Sequence, residues 1–146
     1  MIEVSTIPQL VELPKNAVLK YPCHSDDYGE VIPADILLKL INKYPDGFDE
    51  DKVLNDYNNE DIEITNIINQ FNEFANKFNC EFNLNYFVPC VNVYDDIIDY
   101  GDTEKDQNIA QIKFKKFIES KGYELYYVPY GGMNNKHKIR HWWSFD

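Results

Sequence analysis

Few residues in this chain have the types and spacing that chemistry requires. His24, Asp26 and Asp27 stand together in the string His24-Ser25-Asp26-Asp27-Tyr28-Gly29, following the segment 18–21. An imidazole and two carboxylates at a strand end offer three ligands to a divalent metal, or a general base. The plainer account is a polar turn, where Ser, Asp and Gly serve by bonding their own backbone or tolerating tight dihedrals. A second set comprises Cys23, Cys80 and Cys90 with His24, His137 and His141. Cys80, Cys90, His137 and His141 would make a Cys₂His₂ zinc set. Structural zinc sites pair their cysteines two to four residues apart, whereas nine residues separate Cys80 from Cys90. On a strand the rings of His137 and His141 would also lie about 13 Å apart, beyond the reach of one ion. Cys23 and His24 are adjacent and on a strand would point to opposite faces, which disfavours direct activation of the thiol and leaves only a cysteine with a histidine remote in sequence. There is no CxxC pair, Walker-type loop, GxGxxG or GxSxG motif. The expectation is therefore no catalytic residue, no metal and no cofactor, with binding favoured over catalysis.

The string 24–29 resembles the HxDDxG-type strand end of carbohydrate deacetylases. Those enzymes are much longer and add further histidine ligands from a barrel-like α/β frame. No such frame is legible in this chain, so no roles are carried across.

The charge pattern carries more information. The chain has 146 residues with 25 Asp and Glu against 14 Lys and Arg, a formal charge of −11. That charge disfavours general binding to nucleic acid or to an anionic membrane, both of which need positive surface. The distribution is uneven: residues 1–104 hold 21 acids and 6 bases, residues 105–146 hold 4 acids and 8 bases. The acids gather in three places. The first holds Asp46, Asp49, Glu50 and Asp51; the second Asp56, Glu60, Asp61 and Glu63; the third Asp95, Asp96, Asp99, Asp102 and Glu104. Acidic helix starts and loops are ordinary aids to solubility and complements to the helix dipole. Rows of carboxylates also imitate a phosphate backbone, which carries about one charge per 1.7 Å of duplex axis. Proteins that handle nucleic acid meet that backbone with lysine and arginine grooves, and an acidic domain of this kind would fit such a groove. In the basic tail, Trp142 stands beside Lys138 and Arg140. It would serve as an interface anchor, unless the N-terminal arm or a helix covers it.

The elements that position these residues follow from periodicity. Residues 1–22, cut by Pro8, Pro14 and Pro22, read as an extended arm. After Pro33, the residues Ile36, Leu37, Leu40, Ile41 and Tyr44 recur at helical spacing, and Pro45-Asp46-Gly47 ends the helix. Asp49 caps a short helix through Tyr57. Ile64, Ile67, Ile68, Phe71, Phe74, Ala75 and Phe78 form the clearest stripe, with Asn79 as the stop. From Glu81 the period changes to two, which predicts two strands or one bulged strand up to Val93. Thr103 and Asp106 open a helix lined by Ile109, Ala110, Phe114, Phe117 and Ile118, which Gly122 ends. Residues 123–145 read as a C-terminal hairpin around Gly131-Gly132. Within it, Ile139, His141, Trp143 and Phe145 face the core, and Lys138, Arg140, Trp142 and Ser144 face out.

The expectation is one α+β domain over residues 1–146, with an antiparallel or mixed sheet packed by two main amphipathic helices. The length is in the range of a single domain. No apolar run reaches the ~18 residues of a membrane span, and the odd cysteine count without a leader reads as reduced thiols in a cytoplasm. Functionally, the expected reading is a small acidic inhibitor that binds a protein with a basic surface. In its sharper form it is a phage or mobile-element anti-defence protein, of the anti-restriction or anti-CRISPR type, that blocks the groove of a nucleic-acid-handling enzyme. Its contact residues would be Asp95, Asp96, Asp99, Asp102, Glu104, Asp49, Glu50, Asp51 and Trp142. The alternatives are a small metal-dependent hydrolase built on His24, Asp26 and Asp27, an immunity protein against a nuclease toxin, and a self-associating accessory protein.

Overall fold

The computed structural model describes residues 2–21, 29–85, 87–93, 103–129 and 137–142. The fold is α+β, as the sequence predicts. Among the described residues the order is α1 (Ile7–Val11), β1 (Ala17–Lys20), β2 (Gly29–Pro33), α2 (Ala34–Lys43), α3 (Glu50–Asn58), α4 (Ile62–Lys77), β3 (Val91–Val93), α5 (Glu104–Ser120), β4 (Glu124–Tyr127) and α6 (Ile139–Trp142). The strands form one mixed sheet in the order β3-β2-β1-β4. β1 pairs antiparallel with β2 and parallel with β4, and β2 pairs antiparallel with β3.

Consecutive strand residues point to opposite faces, and Val18, Leu19, Val31 and Ile32 are all fully buried. Both faces of the sheet are therefore covered, which explains why apolar residues stand side by side at Val18-Leu19 and Val31-Ile32. α5 covers the face onto which Gly29 opens. A Cβ at Gly29 would sit 2.3 Å from the Val93 carbonyl oxygen and 2.6 Å from Cε2 of Phe114, so only glycine fits. α2 packs on β1 and β2 and against α4. The stripe of α4 (Ile64, Ile67, Ile68, Phe71, Phe74 and Ala75) is buried, as its spacing predicts.

Three expectations need correction. Within the predicted arm, Thr6 opens a helix: its side chain accepts from the Gln9 N–H, and the Gln9 side chain accepts from the Thr6 N–H. The predicted hairpin does not form, because β4 pairs in parallel with β1 and residues 139–142 are helical. The strand expected from Glu81 shrinks to Val91–Val93. Phe82 and Phe87 instead turn onto Phe71, at ring-centroid distances of 4.5 and 5.9 Å. Aromatic packing against α4 overrides the local alternation.

Candidate functional site

Two of the three acidic groups fall in one described segment, 46–63, which carries eight carboxylates and a single lysine, Lys52. The segment forms a corner: a turn after α2, then α3, then the start of α4. Gly47 adopts φ +127°, a region that L side chains avoid. Asp49 caps α3 by accepting from the Lys52 N–H at 3.2 Å, and Val53 is fully buried beneath the helix. Glu50 and Asp51 occupy the first turn, where negative charge meets the positive end of the helix dipole. Glu60 takes a left-handed φ of 61° between α3 and α4, and Asp61 caps α4 through the Ile64 N–H at 3.0 Å.

The eight carboxylates divide by direction. Asp56 and Asp61 are half-buried and tied to the fold: the Tyr44 hydroxyl donates to Asp56 at 2.7 Å, and Lys43 Nζ lies 3.0 Å from Asp61 Oδ2. The Ile64 N–H, then Lys43, hold the Asp61 carboxyl below the usual carboxylate range. The hydrogen bond to Asp61 in turn raises Lys43. Burial, then the bond to Asp56, raises the Tyr44 phenol well above its ordinary value. Asp46, Asp49, Glu50, Asp51, Glu60 and Glu63 are exposed, and of these Glu63 has an ion pair, a loose 3.8 Å one to Lys43. Set among the last of them, Ile62 is 78% exposed. The corner is thus six exposed carboxylates on a braced frame, with an exposed isoleucine among them. Chemically it offers hydrogen-bond acceptors and negative charge to a cationic surface.

Trp142 takes no part in that outward surface. Its side chain is 4% exposed and its Nε1–H donates to the Tyr44 carbonyl. The expectation of an exposed anchor fails because 139–142 is a helix. Ile139 and Trp142, three residues apart, then share one inward face, whereas on a strand they would point apart. α6 is held at both ends. Ile139 N–H donates to the Ser5 carbonyl at 3.0 Å, and Phe48 N–H donates to the Trp142 carbonyl at 2.9 Å. Phe48 also packs on the indole at 6.1 Å between ring centroids. Trp142 is therefore an internal strut that fixes the turn from which the acidic corner departs. The sequence signal was present in the i, i+3 spacing of Ile139 and Trp142, but equally compatible with alternation over so few residues.

The other predicted residues divide as follows. Glu104 is exposed in the first turn of α5, whose cap Thr103 accepts from the Asp106 N–H at 3.1 Å. Asp95, Asp96, Asp99 and Asp102 lie outside the described residues, as do Cys23, His24, Asp26 and Asp27. Cys80 and Cys90 are half-buried, and no group of three or more metal-ligating side chains occurs among the described residues. The sequence reading missed Ile62, although it falls off the buried stripe of α4. It also missed an open cleft of about 300 Å³ between α2 and α4, lined by Lys39, Asn42, Glu63, Asn66, Ile67 and Gln70. Lys39 Nζ donates to Gln70 Oε1 across it at 3.0 Å. No described helix is long and apolar enough to cross a membrane. Comparison with family models, curated proteins and solved structures finds no match to this chain.

Proposed function

We propose that this protein acts by binding, as a small acidic inhibitor whose corner 46–63 docks on the basic groove of a nucleic-acid-handling enzyme. The supporting observation is the division of the corner's carboxylates. Asp56 and Asp61 brace the fold, while six others, Asp49, Glu50 and Asp51 among them, are exposed in one stretch of about 18 residues. Solubility alone asks for dispersed charge of both signs, and this segment has one lysine. Such a surface steers a cationic partner from a distance and loses its hold as salt screens it. An anti-defence protein of a phage or mobile element acting in a cytoplasm fits this mode of action.

The test is retention of a partner on the immobilised protein from host lysate, at low and high salt. A nucleic-acid-binding enzyme retained at ~50 mM salt and released at ~500 mM agrees with the proposal. Its nucleic-acid binding should also be blocked by the purified protein. Capture that ignores salt, or no effect on nucleic-acid binding, contradicts it.

A further inference from the structure

The outermost face of α5 carries Lys105, Ile109, Ile112 and Lys116, spaced four, three and four residues apart and so in one stripe. It lies opposite the buried line Ala110, Phe114 and Ile118. Ile109 is 41% exposed and Ile112 58%, against the expectation that Ile109 lines the core. Lys105 and Lys116 bracket them, both exposed and neither in an ion pair with a described residue. The acidic corner has the complementary build: Ile62 exposed, with the exposed Glu60 and Glu63 close to it in the chain.

We propose that this protein associates head to tail with copies of itself, the Lys105-Ile109-Ile112-Lys116 stripe of one copy docking on the acidic corner around Ile62 of the next. Charge selects this pairing. Two α5 stripes facing each other would set lysines against lysines, and two corners would set carboxylates against carboxylates, each repulsive. Stripe on corner brings isoleucine to isoleucine inside a ring of opposite charges, the anatomy of an apolar centre with a polar rim. Such a contact is heterologous, so a pair leaves the corner of one copy and the stripe of the other free, and assembly runs to rings or open chains. The proposal uses the corner of the preceding section but needs only purified protein, so the two are tested separately.

Sedimentation velocity of the full chain over a concentration series reads the association directly. The wild type should form concentration-dependent oligomers whose dissociation constant rises on the order of tenfold or more between ~50 and ~500 mM salt. One variant, Ile109→Asp with Ile112→Asp, removes the stripe; another, Ile62→Lys with Glu60→Lys, removes the corner. Lys105→Glu with Lys116→Glu is a second, gentler stripe variant. All these positions are exposed, and circular dichroism checks that each variant keeps its fold. Each variant alone should be monomeric, and mixing the Ile109→Asp, Ile112→Asp variant with the corner variant should give a 1:1 heterodimer that grows no further. A wild type that stays monomeric throughout overturns the proposal. So does a folded variant that self-associates alone, which would mean a symmetric contact, or a mixture that fails to pair.

Discussion

Replacing Trp142 distinguishes a strut from a surface anchor. The indole is 4% exposed, and removing a buried tryptophan down to alanine typically costs about 3–5 kcal/mol. That is a large share of the roughly 5–15 kcal/mol that holds a domain folded. Trp142→Phe is the sharper probe, because it keeps an aromatic ring near Phe48 while removing the donor to the Tyr44 carbonyl. That carbonyl keeps the Gly47 N–H at 3.1 Å, so losing the indole donor costs about 0.5–1.5 kcal/mol, and the lost ring volume adds about 1 kcal/mol more. With a urea slope near ~2 kcal/mol/M, the midpoint should fall by about 0.7–1.3 M for Phe and further for Ala. Urea unfolding followed by far-ultraviolet circular dichroism measures both, with the slope expected to stay unchanged. A midpoint within ~0.2 M of wild type for Trp142→Phe would refute the strut and return Trp142 to the surface.

Other expected outcomes follow from the packing and ionisation of the same frame. Gly29→Ala should destabilise by about 1–3 kcal/mol or abolish folding, since its Cβ meets the Val93 backbone at 2.3 Å; chemical denaturation reads this. Tyr44→Phe, which removes the 2.7 Å bond to Asp56, should cost about 1–2 kcal/mol in the same assay. Alkaline pH should destabilise the fold. Tyr21, Tyr44 and Lys43 all have folded values raised above their ordinary ones, Tyr21 first by burial and Lys43 first by its bond to Asp61. Each therefore binds its proton more tightly folded than unfolded, so its contribution is full below pH 10 and lost as pH rises through the raised values. Thermal melts should hold level for these groups up to about pH 10 and fall above it, and a melting temperature that rises there would contradict the assignment.

The sequence was most readable where local and tertiary signals agree. The stripe from Ile64 to Phe78 predicts a helix that is observed as Ile62–Lys77, and its stop at Asn79 takes the left-handed φ of 56°. Asp49 and Thr103 cap the helices they were expected to cap. The capping box of Thr6 and Gln9 was legible but masked by the prolines around it, although Pro8 suits a first helical turn. What stayed hidden depends on partners remote in sequence. Tyr126 pairs with Leu19 in a parallel ladder rather than with a neighbour in a hairpin. Whether Trp142 faced in or out turned on strand or helix over a handful of residues. The acidic corner was visible as composition, but its division into bracing and outward carboxylates required the positions of Lys43 and Tyr44.

The most direct test of the binding account is a triple reversal of the corner, Asp46→Lys, Glu50→Lys and Glu60→Lys. These three exposed carboxylates neither cap a helix nor pair with Lys43. The fold should survive, checked by circular dichroism. The variant should no longer capture at low salt the nucleic-acid-handling partner that wild type captures, nor block its binding to nucleic acid. Undiminished capture and inhibition by the folded triple variant would contradict the account.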